Sequence, residues 1–324
     1  MEITFVRHAQ SLSNRKNRWQ GQSNSDLSDT GRNQAKALAK RLANIPFDRF
    51  IVSDLDRTRQ TADALGRPYE TSSQWREIDV GRWEGLTAGQ VAEQFPEEAG
   101  ALAQGNLDVK VGGGESWNDV FDRVDAAFNG LVQSLDENAS ALVVAHGGIL
   151  NSLMIGLLGL RGRYPRPLGR MFNTSISKVR IEGGRTTIAV YNDSTHVAPF
   201  SPWIEEQTRG AAVLALVSGT DPEERDRAQA FHGRIDEFLL ATPEDDYDGF
   251  VEGFRGRVAG YAVPHEGLPA FSARSLALPD HRGFHIPVAA GITHIVASSQ
   301  RSSLADYNVG TDLIHGAQGR QRPR

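Results

Sequence analysis

The strongest constraint on the fold is the alternation, over roughly residues 1–198, of short apolar runs with amphipathic stretches. Ile3 to Val6 reads as a buried strand, Phe47 to Ser53 as the next, and Ala141 to Ala145 as a third. Between them, Ser28 is placed to cap a helix in which Ala35, Leu38, Ala39, Leu42 and Ala43 share one face. Leu55 to Leu65 reads as a second helix. A third follows Ser116 and Asp119, whose spacing is that of a capping box, with Val120, Phe121, Val124, Phe128, Leu131 and Leu135 turned inward. Gly147-Gly148 opens another helix, and two β-rich runs, Ser175 to Ile181 and Thr186 to Tyr191, meet at a Gly183-Gly184 turn. Strands and helices in alternation imply an α/β fold, a three-layer sandwich around a largely parallel sheet.

After about Pro199 the texture changes, so the expected organisation is a first domain over 1–198 and a C-terminal extension over 199–324. Pro222 to Ala241 and Pro243 to Tyr261 read as helices, the second with a stripe of Tyr247, Phe250, Val251, Phe254, Val258 and Tyr261. That stripe suits packing on a neighbour, a cover over a site, or a homodimer contact. Beyond it the extension reads as loop-rich, with one strand-like run, Thr293 to Ala297, and a basic tail from Gly316.

A formal net charge of −5 argues against a nucleic-acid binder. An anionic substrate would need a local basic pocket instead. The absence of cysteine excludes disulfides, thiolate metal sites and a cysteine nucleophile. His281 and His285, beside Asp280, would bind a metal only on a helix, and Pro279, Gly283 and Pro287 argue against one. No metal and no cofactor is expected. The segment before Arg7 has neither a basic region nor an apolar core of signal-peptide type, and no run is apolar enough to span a bilayer. The default expectation is a cytoplasmic protein with no membrane partner.

In open α/β sheets, ligands bind at the carboxyl ends of the strands. The first strand ends in Arg7-His8, the second just before Arg57, the third in His146 followed by two glycines and a helix start. Each alone has an ordinary explanation, a surface ion pair or a satisfied core imidazole. Together they suit a phosphoryl group. Guanidinium forks bind phosphate oxygens in pairs. A helix N-terminus at Gly147 adds N–H donors. A neutral imidazole is a competent nucleophile toward phosphorus, and arginines can neutralise the developing charge without a metal.

The run Arg7-His8-Ala9-Gln10-Ser11, with Asn14 after it, resembles the signature of the histidine phosphatase superfamily, the phosphoglycerate mutase-like proteins. Further matches follow in order: Gln20-Gly21, Asp26-Leu27-Ser28, Gly31, Ser53 to Ala62 around Arg57, Arg76 to Gly85, Gly114-Glu115-Ser116, Ala145 to Gly148, Asn173 to Ile176 and Asn192 to His196. The resemblance covers roughly residues 1–198 and implies that family's fold. It also implies roles. His8 would be the nucleophile. Arg7, Asn14, Arg57, His146 and Gly147 would hold the phosphoryl oxygens, with His146 a charged or hydrogen-bonding partner. Glu77 would protonate the leaving oxygen and then activate water, with Glu84 and Asp79 as rivals. Arg15 and Arg82 would reach the rest of the substrate or lie in solvent. Ala9 departs from the glycine of many relatives, and Asp54, at a position usually small or proline, should point away from the phosphate.

The segment Gly81-Arg82-Trp83-Glu84-Gly85 resembles the broad phosphatase branch more than the mutases. The implied activity is therefore hydrolysis of a small phosphorylated substrate through a phosphohistidine. The alternatives are a phosphoglycerate mutase-type phosphotransferase and a non-catalytic phosphate-binding protein.

Overall fold

The computed structural model describes residues 1–164, 166–198, 204, 211–219, 221–239, 247–278, 281–287, 291–298 and 301–310. The chain divides into two compact units, Met1–Arg166 with Arg170–Thr186, and Pro167–Gly169 with Thr187–Arg324. The division thus falls earlier than the expected boundary at 198.

The first unit contains, in order, β1 (Glu2–Arg7), α1 (Leu12–Arg15), α2 (Asp29–Leu42), β2 (Arg49–Val52), α3 (Asp56–Asp63), β3 (Glu70–Thr71), α4 (Ala88–Gln94), α5 (Pro96–Ala103), α6 (Trp117–Gln133), β4 (Ser140–Ala145), α7 (Gly147–Leu157) and β5 (Ile176–Glu182). Strand β6 (Arg185–Asp193) begins in it and continues into the second unit. The sheet order is β3-β2-β4-β1-β5-β6. The β3-β2-β4-β1 pairs are parallel and β5 runs antiparallel to β1. This is the expected mixed α/β architecture. β1 and β4 are buried along five of their six residues, as strands covered by helices must be. The caps are as the sequence suggests. The Ser28 hydroxyl accepts from Gly31 N, and Ser116 and Asp119 form a reciprocal box over α6. α6 turns Val120, Phe121, Val124, Ala127, Phe128 and Leu131 inward; Leu135 lies past its end.

The second unit is not the mainly helical, then loop-rich segment that the sequence suggested. It holds a five-stranded sheet, β11-β10-β7-β9-β8, built from β7 (Ala212–Ser218), β8 (Glu237–Phe238), β9 (Val258–Val263), β10 (Ile292–Ser298) and β11 (Arg301–Leu304). Helices α8 (Pro222–His232), α9 (Tyr247–Gly253) and α10 (Leu268–Ser275) accompany it.

α8 stops nine residues short of the expected Ala241 because Gly233 takes the left-handed conformation, φ +68°, and closes the helix. The apolar stripe of 247–261 is really two elements. Its first part is α9, which buries Phe250 and Val251. Its last part is a strand paired in parallel with β7. Val258 and Tyr261 matched a helical period by coincidence, because short apolar runs do not distinguish helix from strand. The expected run Thr293 to Ala297 is the core of β10. Asp280 and the tail from Gly316 lie outside the described residues.

Candidate functional site

The sheet register assembles the site. β1 pairs with β4 so that Arg7 lies opposite Ala145, and β2 pairs with β4 so that Val52 lies opposite Val144. The ladder continues one residue further on each side: His8 N donates to Ala145 O at 2.9 Å and Ser53 N donates to Val144 O at 3.0 Å. Neighbouring strands lie about 4.8 Å apart, so the next residues, His8, His146 and Ser53, stand in a row across the carboxyl edge. The two imidazole rings are 5.2 Å apart, tilted 60°. Both are buried, as are Arg7 and Arg57.

Hydrogen bonds set the imidazole tautomers. His8 Nδ1 lies 2.7 Å from Ala9 O. A carbonyl only accepts, so Nδ1 carries the proton and Nε2 keeps its lone pair. His146 Nε2 lies 2.8 Å from the Ser53 hydroxyl, while its buried Nδ1 has no partner. Burial, followed by the charges of Arg57 and Arg7, holds His8 well below the usual histidine range. The same happens to His146 through burial, Arg57, His8, Arg7 and Arg123. Both rings are therefore neutral at neutral pH, which favours the hydrogen-bonding role for His146 over the charged one.

The two arginines are fixed by backbone and left wanting an anion. Arg7 donates to Met171 O at 2.6 Å. Arg57 donates to Gly21 O at 2.7 Å and Ser23 O at 2.9 Å. The buried Nε of each has no partner. Neither makes a salt bridge among the described residues. Burial, with the charge of Arg170 behind it, pulls Arg7 down to about 9, and burial pulls Arg57 down to about 10. Both stay charged at neutral pH, as buried cations with no direct ion pair among the described residues. A phosphoryl dianion supplies counter-charge and accepts from the free N–H groups. Thr61 locks the two sides together, since its hydroxyl accepts from Ala9 N at 3.0 Å and donates to Arg57 O at 2.6 Å.

Glu77 is carried between buried anchors, Trp75, Ile78 and Val80. Its Oε2 accepts from Gly148 N at 2.9 Å, and its Oε1 accepts from Ile78 N at 3.0 Å. Its charge reaches both Arg7 and Arg57, opposing the shift of each. The α7 N-terminus therefore serves Glu77 with one of its donors. A Cβ on Gly148 would sit 2.5 Å from Glu77 Oε1, so only glycine admits the carboxylate there. A Cβ on Gly147 would sit 3.0 Å from Arg7 Nε, so what comes close to that glycine is the guanidinium.

Asn14 joins the cluster indirectly. Its Oδ1 accepts from Asn173 Nδ2 at 3.3 Å, and the same amide donates to His8 O at 3.0 Å.

The rivals for the acid are engaged elsewhere. Glu84 accepts from Gly21 N at 3.0 Å and from the Ser23 hydroxyl at 2.5 Å, stapling the turn whose carbonyls hold Arg57. Asp79 accepts from Gly81 N at 2.9 Å. Asp54 is held by Arg76 through two hydrogen bonds of 2.7 and 2.6 Å. Arg82 pairs with Glu98 at 2.8 Å, and Arg15 is exposed. Sequence reasoning gave no separate role to Ser53, Gly148, Glu115 or Arg123. Ser53, just past the end of β2, Gly148 and Glu115 all lie inside the runs that resemble the family; Arg123 carried no such signal. Among the described residues no cluster of three or more metal-ligating side chains occurs, and His281 to His285 form no helix.

Comparisons with known proteins show the family. The profile of the histidine phosphatase superfamily (branch 1) matches residues 3–194. A probable phosphoglycerate mutase, GpmB, of Salmonella choleraesuis is 33% identical over 183 residues, 55% of this chain and 84% of that protein. A mycobacterial glucosyl-3-phosphoglycerate phosphatase, solved with vanadate, superposes with a TM-score of 0.54 at 32% identity, covering 59% of this chain and 98% of that one. The α-ribazole phosphatase of Shigella flexneri, at 22% identity and a TM-score of 0.55 over 60% of this chain and 97% of that one, shares the fold. The chain belongs to the histidine phosphatase superfamily.

Proposed function

We propose that this protein is a metal-independent phosphomonoester hydrolase that works through a phosphohistidine on His8. The observation that carries the reading is the tautomer of His8 beneath the two arginines. Its Nδ1–H is spent on Ala9 O, so the Nε2 lone pair is free, and two buried guanidiniums beside it each keep an unpaired Nε–H. His8 Nε2 attacks phosphorus and forms the N–P bond as the P–O bond to the alcohol breaks. Arg7, Arg57, Asn14, Gly147 and neutral His146 hold the phosphoryl oxygens. Glu77 is the general acid and gives a proton to the leaving oxygen. Its carboxylate then takes a proton from water, whose oxygen bonds to phosphorus while the N–P bond breaks, returning neutral His8 and inorganic phosphate. One carboxyl does both because the second half-reaction reverses the first. The guanidiniums supply the charge that a metal would otherwise supply.

The substrate is a small phosphorylated metabolite, and the protein works in the cytoplasm. The similarity to a glucosyl-3-phosphoglycerate phosphatase puts glycosylated phosphoglycerates in the first screening panel. The similarity to proteins named phosphoglycerate mutase supports a second reading, in which the phosphoenzyme gives its group to another hydroxyl. The test supplies 3-phosphoglycerate with and without 2,3-bisphosphoglycerate, beside a panel of phosphate esters. Release of inorganic phosphate without isomerisation supports the hydrolase; efficient isomerisation overturns it.

A further inference from the structure

Glu77 must be aimed, yet it sits on a stretch with no regular structure, between the 3-10 turns Ser73–Trp75 and Gly81–Trp83. No helix or sheet ladder fixes its backbone, so the carbonyls and amides around it need other partners. Several of them find one ion pair, and Gln22 Nε2 also donates to Glu77 O at 3.3 Å.

Arg123, on α6, donates from Nη1 to Gln74 O and to Arg76 O, each at 2.9 Å, and from Nη2 to Glu77 O at 3.5 Å. The other edge of the guanidinium is gripped by Glu115 through bonds of 2.7 and 2.9 Å. Glu115 in turn accepts from Asp79 N at 2.9 Å and donates its own N–H to Asp79 O at 2.9 Å. The backbone on both sides of Glu77 is thereby tied to one fork. The pair is about one-fifth exposed, 23% for Arg123 and 22% for Glu115, and bidentate, which gives it directional stiffness. Trp75, Ile78 and Val80 already anchor the segment in the core. What the ion pair adds is the direction of residues 76–79.

We propose that Arg123 and Glu115 are positioning residues for Glu77, setting the reach of the acid toward the leaving oxygen. The inference rests on the hydrolase reading above. Its consequence is selective. An acid held out of line hurts the departure of a poor leaving group, which needs the proton, far more than that of a good one, which leaves as an anion.

The test measures kcat and KM of Arg123→Lys, Arg123→Ala, Glu115→Gln, Glu77→Gln and the double variant Glu77→Gln/Glu115→Gln on nitrophenyl phosphate and on an alkyl phosphate. Misplacing a reacting group by an ångström costs about 100-fold. In kcat/KM, which reports formation of the phosphoenzyme and not its hydrolysis, Glu115→Gln is therefore expected to lose roughly 10- to 100-fold on the alkyl ester and less than about 3-fold on the nitrophenyl ester. The double variant should be no slower on the alkyl ester than Glu77→Gln alone. Arg123→Lys, which keeps charge and most of the packing, should lie between wild type and Arg123→Ala. Equal losses on the two esters, or a fully additive double variant, would overturn the positioning role and leave a merely structural pair. The failure of the underlying reading looks different: Glu77→Gln itself would then lower kcat/KM for both esters alike.

Discussion

Gly148→Ala separates the fold of this protein from its chemistry. The added methyl carbon would lie 2.5 Å from Glu77 Oε1, where ordinary contact begins at 3.4 Å, so the carboxylate must withdraw by about 0.9 Å (3.4 minus 2.5). The obstructing atom is the end of a flexible side chain, so the backbone need not move. Alanine in a helix gains about 0.5–1 kcal/mol over glycine. That gain is offset by loss of the charged hydrogen bond from Gly148 N, worth about 1.5–3 kcal/mol. The melting midpoint should fall by only a few degrees. Catalysis should suffer more, because a shift of this size at a reacting group costs about 100-fold, or about 2.7 kcal/mol of barrier. Steady-state assays should show that loss in kcat/KM for an alkyl phosphate and a much smaller loss in kcat/KM for nitrophenyl phosphate. Unchanged turnover of the alkyl ester would refute the reasoning, because it would mean that the Glu77 carboxylate at Gly148 is not the group that protonates the leaving oxygen.

Ser53→Ala removes the partner of the buried His146 Nε2; it should destabilise the fold by about 1–3 kcal/mol in urea titration and lower kcat more than a surface control. Turnover should be unaffected by EDTA, since guanidiniums carry the charge, and a loss restored by added divalent metal would refute this. In the second unit, burial and the neighbouring His294 lower His232 to about 2. Its unfolded value is about 6.5, so the unfolded chain takes up a proton there that the folded one refuses. Stability is therefore full above pH 6.5 and falls as pH drops toward 2, by about 1.4 kcal/mol per unit for this group. Urea titrations between pH 6 and 4 should show wild type losing stability more steeply than His232→Gln by about that slope; equal slopes would refute it.

The first unit was legible because its signals were local and redundant. Capping serines, apolar runs of strand length and a turn at Gly183-Gly184 each named an element. The strand-end arginines and histidines then had one common place to go. The second unit hid its sheet. The stripe from Tyr247 to Tyr261 fitted a helix at every position, and nothing short of strand pairing reveals that Val258–Val263 is the partner of β7. At the site, the ionisable groups could be read from residue type and order. Their supports could not. Glu115 lies in a run that resembles the family, but nothing in the sequence pairs it with Arg123 or brings either to Glu77. Gly148 serves Glu77 from 71 residues away along the chain, a separation that only the folded sheet closes.

The central claim is that His8 accepts the phosphoryl group. Rapid acid-free quenching during turnover of a ³²P-labelled ester, followed by peptide mapping, tests it most directly. The account predicts an acid-labile, base-stable label on the peptide containing His8, absent in His8→Asn. Label on any other residue would contradict it, as would steady turnover with no covalent label when phosphoenzyme hydrolysis is slowed by Glu77→Gln.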